Sequence, residues 1–252
     1  MDSNSTILDK FSDQIFYAFS SHADGNMSFK FGNLENVNEN RRKWITKIGV
    51  DQDNIYKIFP MPEMGVVVID EEAKENLKGH FFDPEIGFTA NGCVTQLPNT
   101  YIFIHLGDSL PILFYEPTHK FIGLARSGWR ETENQMVALT VQALAKNYKI
   151  NLEKLVVLIG PAIHKCCFKF KDPAQSRWPN WNKYLQLVKK DTYAIDLVQY
   201  NIDQLVEVGV KLENIEDMNY CTSCHRNQIF SHYADHDKEI GEGRFGVIFG
   251  LK

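Results

Sequence analysis

From end to end this chain alternates short apolar runs with helical periodicities, and no linker interrupts the alternation. Residues 66–69, 101–106, 121–125, 155–159 and 246–251 each read as a strand, being apolar and too short for a stable helix. Residues 34–48 place Leu34, Val37, Trp44, Ile45 and Ile48 near helical spacing, behind Asn33, a residue type that caps helix N-termini. Residues 131–148 form the strongest helical pattern, with Met136, Leu139, Val141 and Leu144 on or near one face, and residues 195–208 read as a further helix. Both element types interleaved, without a Pro/Gly/Ser-rich boundary, imply one layered α/β domain over residues 1–252. Residues 172–191, with Trp178, Pro179 and Trp181, show no clear period and read as a surface excursion packed over a pocket.

An apolar fraction of 44% over 252 residues supports a sizeable core and excludes global disorder. A formal charge of −5 argues against coating a nucleic acid, which requires clustered Lys and Arg. The run Arg41-Arg42-Lys43 reads as the solvated side of the first helix. No stretch of about 18 apolar residues occurs, so no membrane-spanning helix is expected. Residues 1–13 lack a basic segment followed by an apolar one, and five cysteines is an odd number, so reduced thiols in a cytoplasm are expected. The expected partner is a small molecule, with no nucleic acid and no membrane.

Several motifs follow one another in a fixed order. Phe16-Tyr17-Ala18-Phe19-Ser20-Ser21 and Val37-Asn38-Glu39-Asn40-Arg41-Arg42 come first. Gly107-Asp108-Ser109-Leu110-Pro111 and Gly123-Leu124-Ala125-Arg126-Ser127-Gly128-Trp129-Arg130 occupy the middle. Gly160-Pro161-Ala162-Ile163-His164-Lys165-Cys166-Cys167-Phe168 follows, then a helix bearing Asp196-Leu197, Asn201 and Gln204-Leu205. Cys221-Thr222, Phe230-Ser231 and Gly243-Arg244 close the series. In this order they resemble the YfiH/YlmD family, the laccase-domain proteins also named polyphenol oxidases, over nearly the whole chain.

The resemblance implies an α/β fold, a single-domain layered α-β-β-α sandwich of the YfiH-like (cytotoxic necrotizing factor/YfiH-like cysteine hydrolase) type. It also implies purine nucleoside phosphorolysis and deamination, or hydrolysis of peptidoglycan precursors, at a zinc held by two His and one Cys. Here Ser109 stands at the position of the Cys and Arg126 at that of one His; the other His falls within residues 59–65, where Glu63 is the only plausible ligand. Arginine has no lone pair to offer and serine is a poor substitute for a thiolate, so no zinc or other cofactor is expected at this place. The reading is a divergent member that has lost its zinc chemistry and keeps a pocket for a purine nucleoside, nucleotide or phosphate. Ser109, Arg126 and His105 are its candidate reactive groups, and Asn40, Arg41, Trp129, Arg130 and Arg244 its candidate substrate contacts. Arg126 has a second reading, as a buried ion pair with Asp108 or Glu63.

Alternatives rest on the same residues. His105 lies four residues before Ser109, so alternation puts both on one face if the strand continues, which would allow a rearranged catalytic site or a serine hydrolase using Ser109. Gly107-Asp108-Ser109-Leu110 spells the GDSL esterase motif, but no D-x-x-H follows to supply its base. Cys221-Thr222-Ser223-Cys224-His225 spells a c-type haem attachment sequence, whose chemistry belongs to exported proteins. Cys221, Cys224, His232 and His236 form a weak alternative metal set at short spacing. No His-rich cluster suits several copper ions.

Overall fold

A computed structural model of the chain describes residues 5–61, 65–148, 150–236 and 241–252. Two sheets stack face to face. One runs in the order β1 (Ile15–Phe19), β14 (Phe245–Leu251), β6 (Thr100–Leu106), β2 (Ile55–Phe59) and β4 (Phe88–Thr89). The other runs β13 (Ile215–Asp217), β9 (Val156–Ile159), β7 (Leu110–Glu116), β8 (Phe121–Ser127), β5 (Gly92–Thr95) and β3 (Val66–Ile69). A small third sheet has the order β10 (Lys169–Lys171), β12 (Thr192–Ile195), β11 (Leu185–Lys189).

Alternation along each strand divides its side chains between two interiors. Ile102, Ile104 and Leu106 of β6, with Phe245, Val247 and Phe249 of β14, meet Leu113, Tyr115, Ile122 and Leu124 of the other sheet. The residues between them face outward. Phe103 and Ile248 pack on Trp44 and Ile45 of α1 (Leu34–Ile48). Ile112, Phe114 and Val157 pack on Met136, Val141 and Leu144 of α4 (Met136–Asn147) and on Leu197 and Leu205 of α5 (Leu197–Glu207). The result is the α-β-β-α layering that the family resemblance implies. Three short helices, α2 (Glu71–Leu77), α3 (Trp129–Glu133) and α6 (His232–Asp235), complete the set. No described helix is long and apolar enough to cross a membrane.

The first helix has the expected bounds: Asn33 accepts from the Asn36 N–H at 2.8 Å, and Gly49 ends it at φ 70°. Other elements differ from the sequence reading. The Pro-containing segment between the two central strands is itself a buried strand, β7. Pro111 is tolerated there because β9 pairs with β7 only from Ile112 onward, so no ladder N–H is required from it. The long helix expected over residues 131–148 is broken into α3 and α4, because Gln135 takes a left-handed φ of 58°. The excursion over residues 172–191 is ordered by burial of Trp181 and by Tyr184 stacking on Tyr200 at 4.0 Å, and it ends in β11.

Arg41 departs from a solvated helix face altogether. Its side chain is fully buried, donating to the Met27 carbonyl from Nε and Nη2 at 3.1 and 2.8 Å and to the Phe81 carbonyl at 3.1 Å. Phe29 lies 4.2 Å from the guanidinium carbon and Phe103 5.0 Å. Arg42 and Lys43 remain exposed and pair with Glu39. Replacing Arg41 by Met keeps the bulk but strands two buried carbonyls, so urea unfolding is expected to show a loss of about 2–4 kcal/mol. An unchanged midpoint would mean that water reaches these carbonyls.

Candidate functional site

The two sheets are joined at one end by a three-residue turn, Gly107-Asp108-Ser109, between β6 and β7. Asp108 holds a left-handed φ of 84°, a conformation that Asp tolerates better than most residues. Its carboxylate is buried and accepts from Thr222 Oγ1 at 2.6 Å, Ser231 Oγ at 2.7 Å and the Tyr233 N–H at 2.6 Å. Burial pushes this carboxyl upward, against those three donors. The Asp108 carbonyl accepts from the Ile163 N–H at 2.9 Å. One turn is thereby tied to two distant segments, 160–168 and 219–235.

Beside the turn stand Ser109 and Arg126. A Cβ on Gly128 would lie 3.0 Å from Ser109 Oγ, 3.5 Å from Arg126 Nη2 and 2.8 Å from Glu131 Oε2, so the three side chains converge on this glycine and any side chain there would displace Glu131. Arg126 is paired, but its partner is Glu131 on α3, while Asp108 is committed to its three donors and Glu63 lies outside the described residues. Glu131 also accepts from the Gly128 N–H at 3.0 Å and from Asn91 Nδ2 at 3.4 Å. Asn91 is fully buried and its Oδ1 has no partner. Arg244 packs its side chain onto Gly107, lies 4.0 Å over the Phe31 ring and donates to the Gly243 carbonyl at 2.7 Å. Trp129 is half-buried, and the exposed Arg130 stacks on it at 4.2 Å.

His105 is not on the face of Ser109. Its strand ends at Leu106, and the turn carries Ser109 into the other sheet, so the expected period-2 pairing fails. No hydrogen bond joins the two residues; His105 instead lies near Phe103, on the side covered by α1. Burial, reinforced by Arg41, Arg244, Arg126 and Lys57, pushes His105 down to about 3, which keeps the imidazole neutral. Lys57, a buried cation that the sequence reading missed, donates to the His80 carbonyl at 2.7 Å and to that of Asp83, and burial brings it down to about 7. Asn40 donates to the Asn26 carbonyl at 3.0 Å, and Arg41 is committed to the core.

The weak metal set separates into two clusters. His232 and His236 share Glu242 Oε1 at 2.7 and 3.0 Å. Cys221 and Cys224 lie instead with Cys166 and Cys167. His164, within a motif read only as a family marker, binds Asp217 through Nε2 at 3.0 Å. Burial opposes it, yet Asp217 and Cys221 hold His164 up to about 10, and contact with His164 holds the otherwise buried Cys221 down to about 5.

A metal at the turn would need lone pairs there. Arg126 has none, and Ser109 offers only a hydroxyl, so the donor set at Ser109 and Arg126 does not fit the zinc that the resemblance implies.

Comparison with known proteins places this geometry. The family described as multi-copper polyphenol oxidoreductase laccase matches residues 16–252. The human purine nucleoside phosphorylase LACC1 is 26% identical over 204 residues, covering 79% of this chain and 44% of that protein. The chain spans about half the length of several curated relatives that it matches. The crystal structure of YlmD from Geobacillus stearothermophilus aligns with a TM-score of 0.85 at 23% identity, over 94% of this chain and 92% of that one. That of Bacillus licheniformis YfiH aligns with a TM-score of 0.84 at 23% identity, over 94% and 93%.

His105 generates a prediction about acid stability. An unfolded histidine binds a proton near 6.5, whereas His105 in the folded chain does so only near 3. Between these values the unfolded state binds the extra proton, so its contribution to stability is complete above pH ~6.5 and is lost as the pH falls. The fall in urea midpoint from pH 7 to pH 5 is therefore expected to be smaller in His105→Gln than in the parent. Equal falls would show that His105 is protonated in the fold.

Proposed function

Because the chain belongs to the YfiH/YlmD family, matched as multi-copper polyphenol oxidoreductase laccase, we propose that it is a divergent member whose zinc chemistry is lost and whose pocket binds an anionic purine ligand, a nucleotide or a nucleoside with phosphate. The observation that carries this is Arg126: a guanidinium stands beside Ser109, where the family resemblance puts metal ligands. A fixed cation at that spot suits phosphate oxygens, which guanidinium groups bind in a forked geometry. Glu131 accounts for one positive charge, and Arg244 on the other side of the turn adds a second. His105, lowered first by burial and then by Arg41, Arg244, Arg126 and Lys57, adds no positive charge of its own. Asn91 Oδ1, buried and without a donor beside Glu131, supports a bound polar molecule that brings one. The name purine nucleoside phosphorylase, carried by the relatives, supports a purine as the ligand's base.

Retained catalysis draws less support. An imidazole that titrates near 3 is a weak proton acceptor at neutral pH, and Ser109 has no hydrogen bond to it. A serine hydrolase or a rearranged phosphorolytic site would need another base.

Calorimetric titration with AMP and with inosine plus phosphate, alongside inosine phosphorolysis and adenosine deamination assays, tests the reading. Binding without turnover is expected, weakened about tenfold or more by Arg126→Met and by Arg244→Met. Turnover that Ser109→Ala abolishes would overturn it, as would the absence of any binding.

A further inference from the structure

We propose that Cys166, Cys167, Cys221 and Cys224 form a four-thiolate zinc site, separate from the grouping of Ser109 and Arg126. The two cysteine pairs lie far apart in sequence. Cys166 and Cys167 follow β9, and Cys221 and Cys224 follow β13, in the C-x-x-C spacing that wraps a chain around one ion. The backbone brings the two segments together: the Ala162 N–H donates to the Tyr220 carbonyl at 3.2 Å and the Thr222 N–H to the Ala162 carbonyl at 2.9 Å.

The sulfur geometry selects the occupant. Cys167 and Cys224 Sγ are 3.4 Å apart, Cys166 and Cys224 3.6 Å, and Cys166 and Cys167 3.9 Å. All four sulfurs lie within 4.8 Å of one another, and all are free thiols. A tetrahedron with zinc–sulfur bonds of about 2.3 Å has edges of about 3.8 Å, so these separations are close to those of a bound set. Four soft donors favour zinc over a hard cation such as magnesium. With every position filled by protein the ion would be structural, leaving no place for a reactive water. Cys166 and Cys224 are exposed, which gives the ion an entry path, while Cys221 is buried.

The surroundings also suit a metal. His164, held by Asp217 at 3.0 Å through Nε2 and by the Ala162 carbonyl at 3.1 Å through Nδ1, lies two residues before Cys166 and helps fix the segment that carries the first thiol pair. The cluster adjoins the supports of the functional turn, since Thr222 follows Cys221 directly and binds Asp108, and Ile163 binds the Asp108 carbonyl. Zinc here would clamp both segments that hold Asp108 in place.

The test uses the full chain, purified without added metal and assayed for zinc by elemental analysis and by release with a mercurial reagent. About one zinc per chain is expected, near zero in Cys221→Ser and in the double variant Cys166→Ser/Cys224→Ser, and undiminished in Ser109→Ala, Arg126→Met and His232→Ala/His236→Ala. To separate metal loss from loss of the fold in the cysteine variants, metal-stripped parent protein is also titrated with cobalt(II). The intense visible bands of tetrahedral thiolate coordination, saturating at about one equivalent, are expected. Zinc that survives the cysteine substitutions, or a stripped protein that gives no thiolate–cobalt bands, would overturn the proposal.

Discussion

A carboxylate removed from water must be given donors by the protein, and Asp108 receives three. The residue sits where the chain passes directly from the middle of one large sheet into the middle of the other, from β6 to β7. Thr222, Ser231 and Tyr233 reach it from a segment more than a hundred residues away. Without that carboxylate the left-handed turn would lose its anchor, and the C-terminal segment would lose the group on which it folds. The placement of Ser109, and with it that of Arg126 across Gly128, follows from this one buried charge.

The same end of the sandwich concentrates positive charge. Arg41 and Lys57 meet backbone carbonyls and Arg244 an aromatic face and a carbonyl; of these cations only Arg126 is paired directly with a carboxylate. Carbonyls and rings stabilise a guanidinium without neutralising it, so the field persists through the interior. His105 responds by remaining neutral, because an added proton would join four cations in a low-dielectric setting.

Much of the layering could be read from the sequence. The first helix follows from its apolar spacing and the Asn33 cap, and the central strands from short apolar runs. What escaped has physical causes. Pro111 disguised a central strand because proline is costly only where a ladder N–H is required, and pairing register is not written locally. Gln135 broke a helix whose hydrophobic pattern runs on unchanged through the break. Arg41 looked solvated because a charge triplet carries no sign of which member turns inward; the aromatic faces that receive it come from residues 29, 81 and 103. Ser109 and Arg126 were singled out, but the partner of Arg126 was not, since Glu131 reads as an ordinary first-turn acid.

The thiol cluster shows the same limit from the other side. Read along the chain, Cys221 and Cys224 invite pairing with the nearest histidines, and only tertiary contact reveals that Cys166 and Cys167 are closer. The two chemistries of the molecule then differ in kind. At the turn stand fixed charges, Arg126 with Glu131 and the buried Asp108, and a few residues away lie four soft sulfur donors. They share backbone: the residue after Cys221 holds Asp108 by its hydroxyl, and the strand that ends before Gly160 leads to both Ile163 and Cys166. Any force that draws the four sulfurs together therefore acts on the same segments that position the turn, so order at the thiols and order at the cationic site are coupled through Thr222 and Ile163.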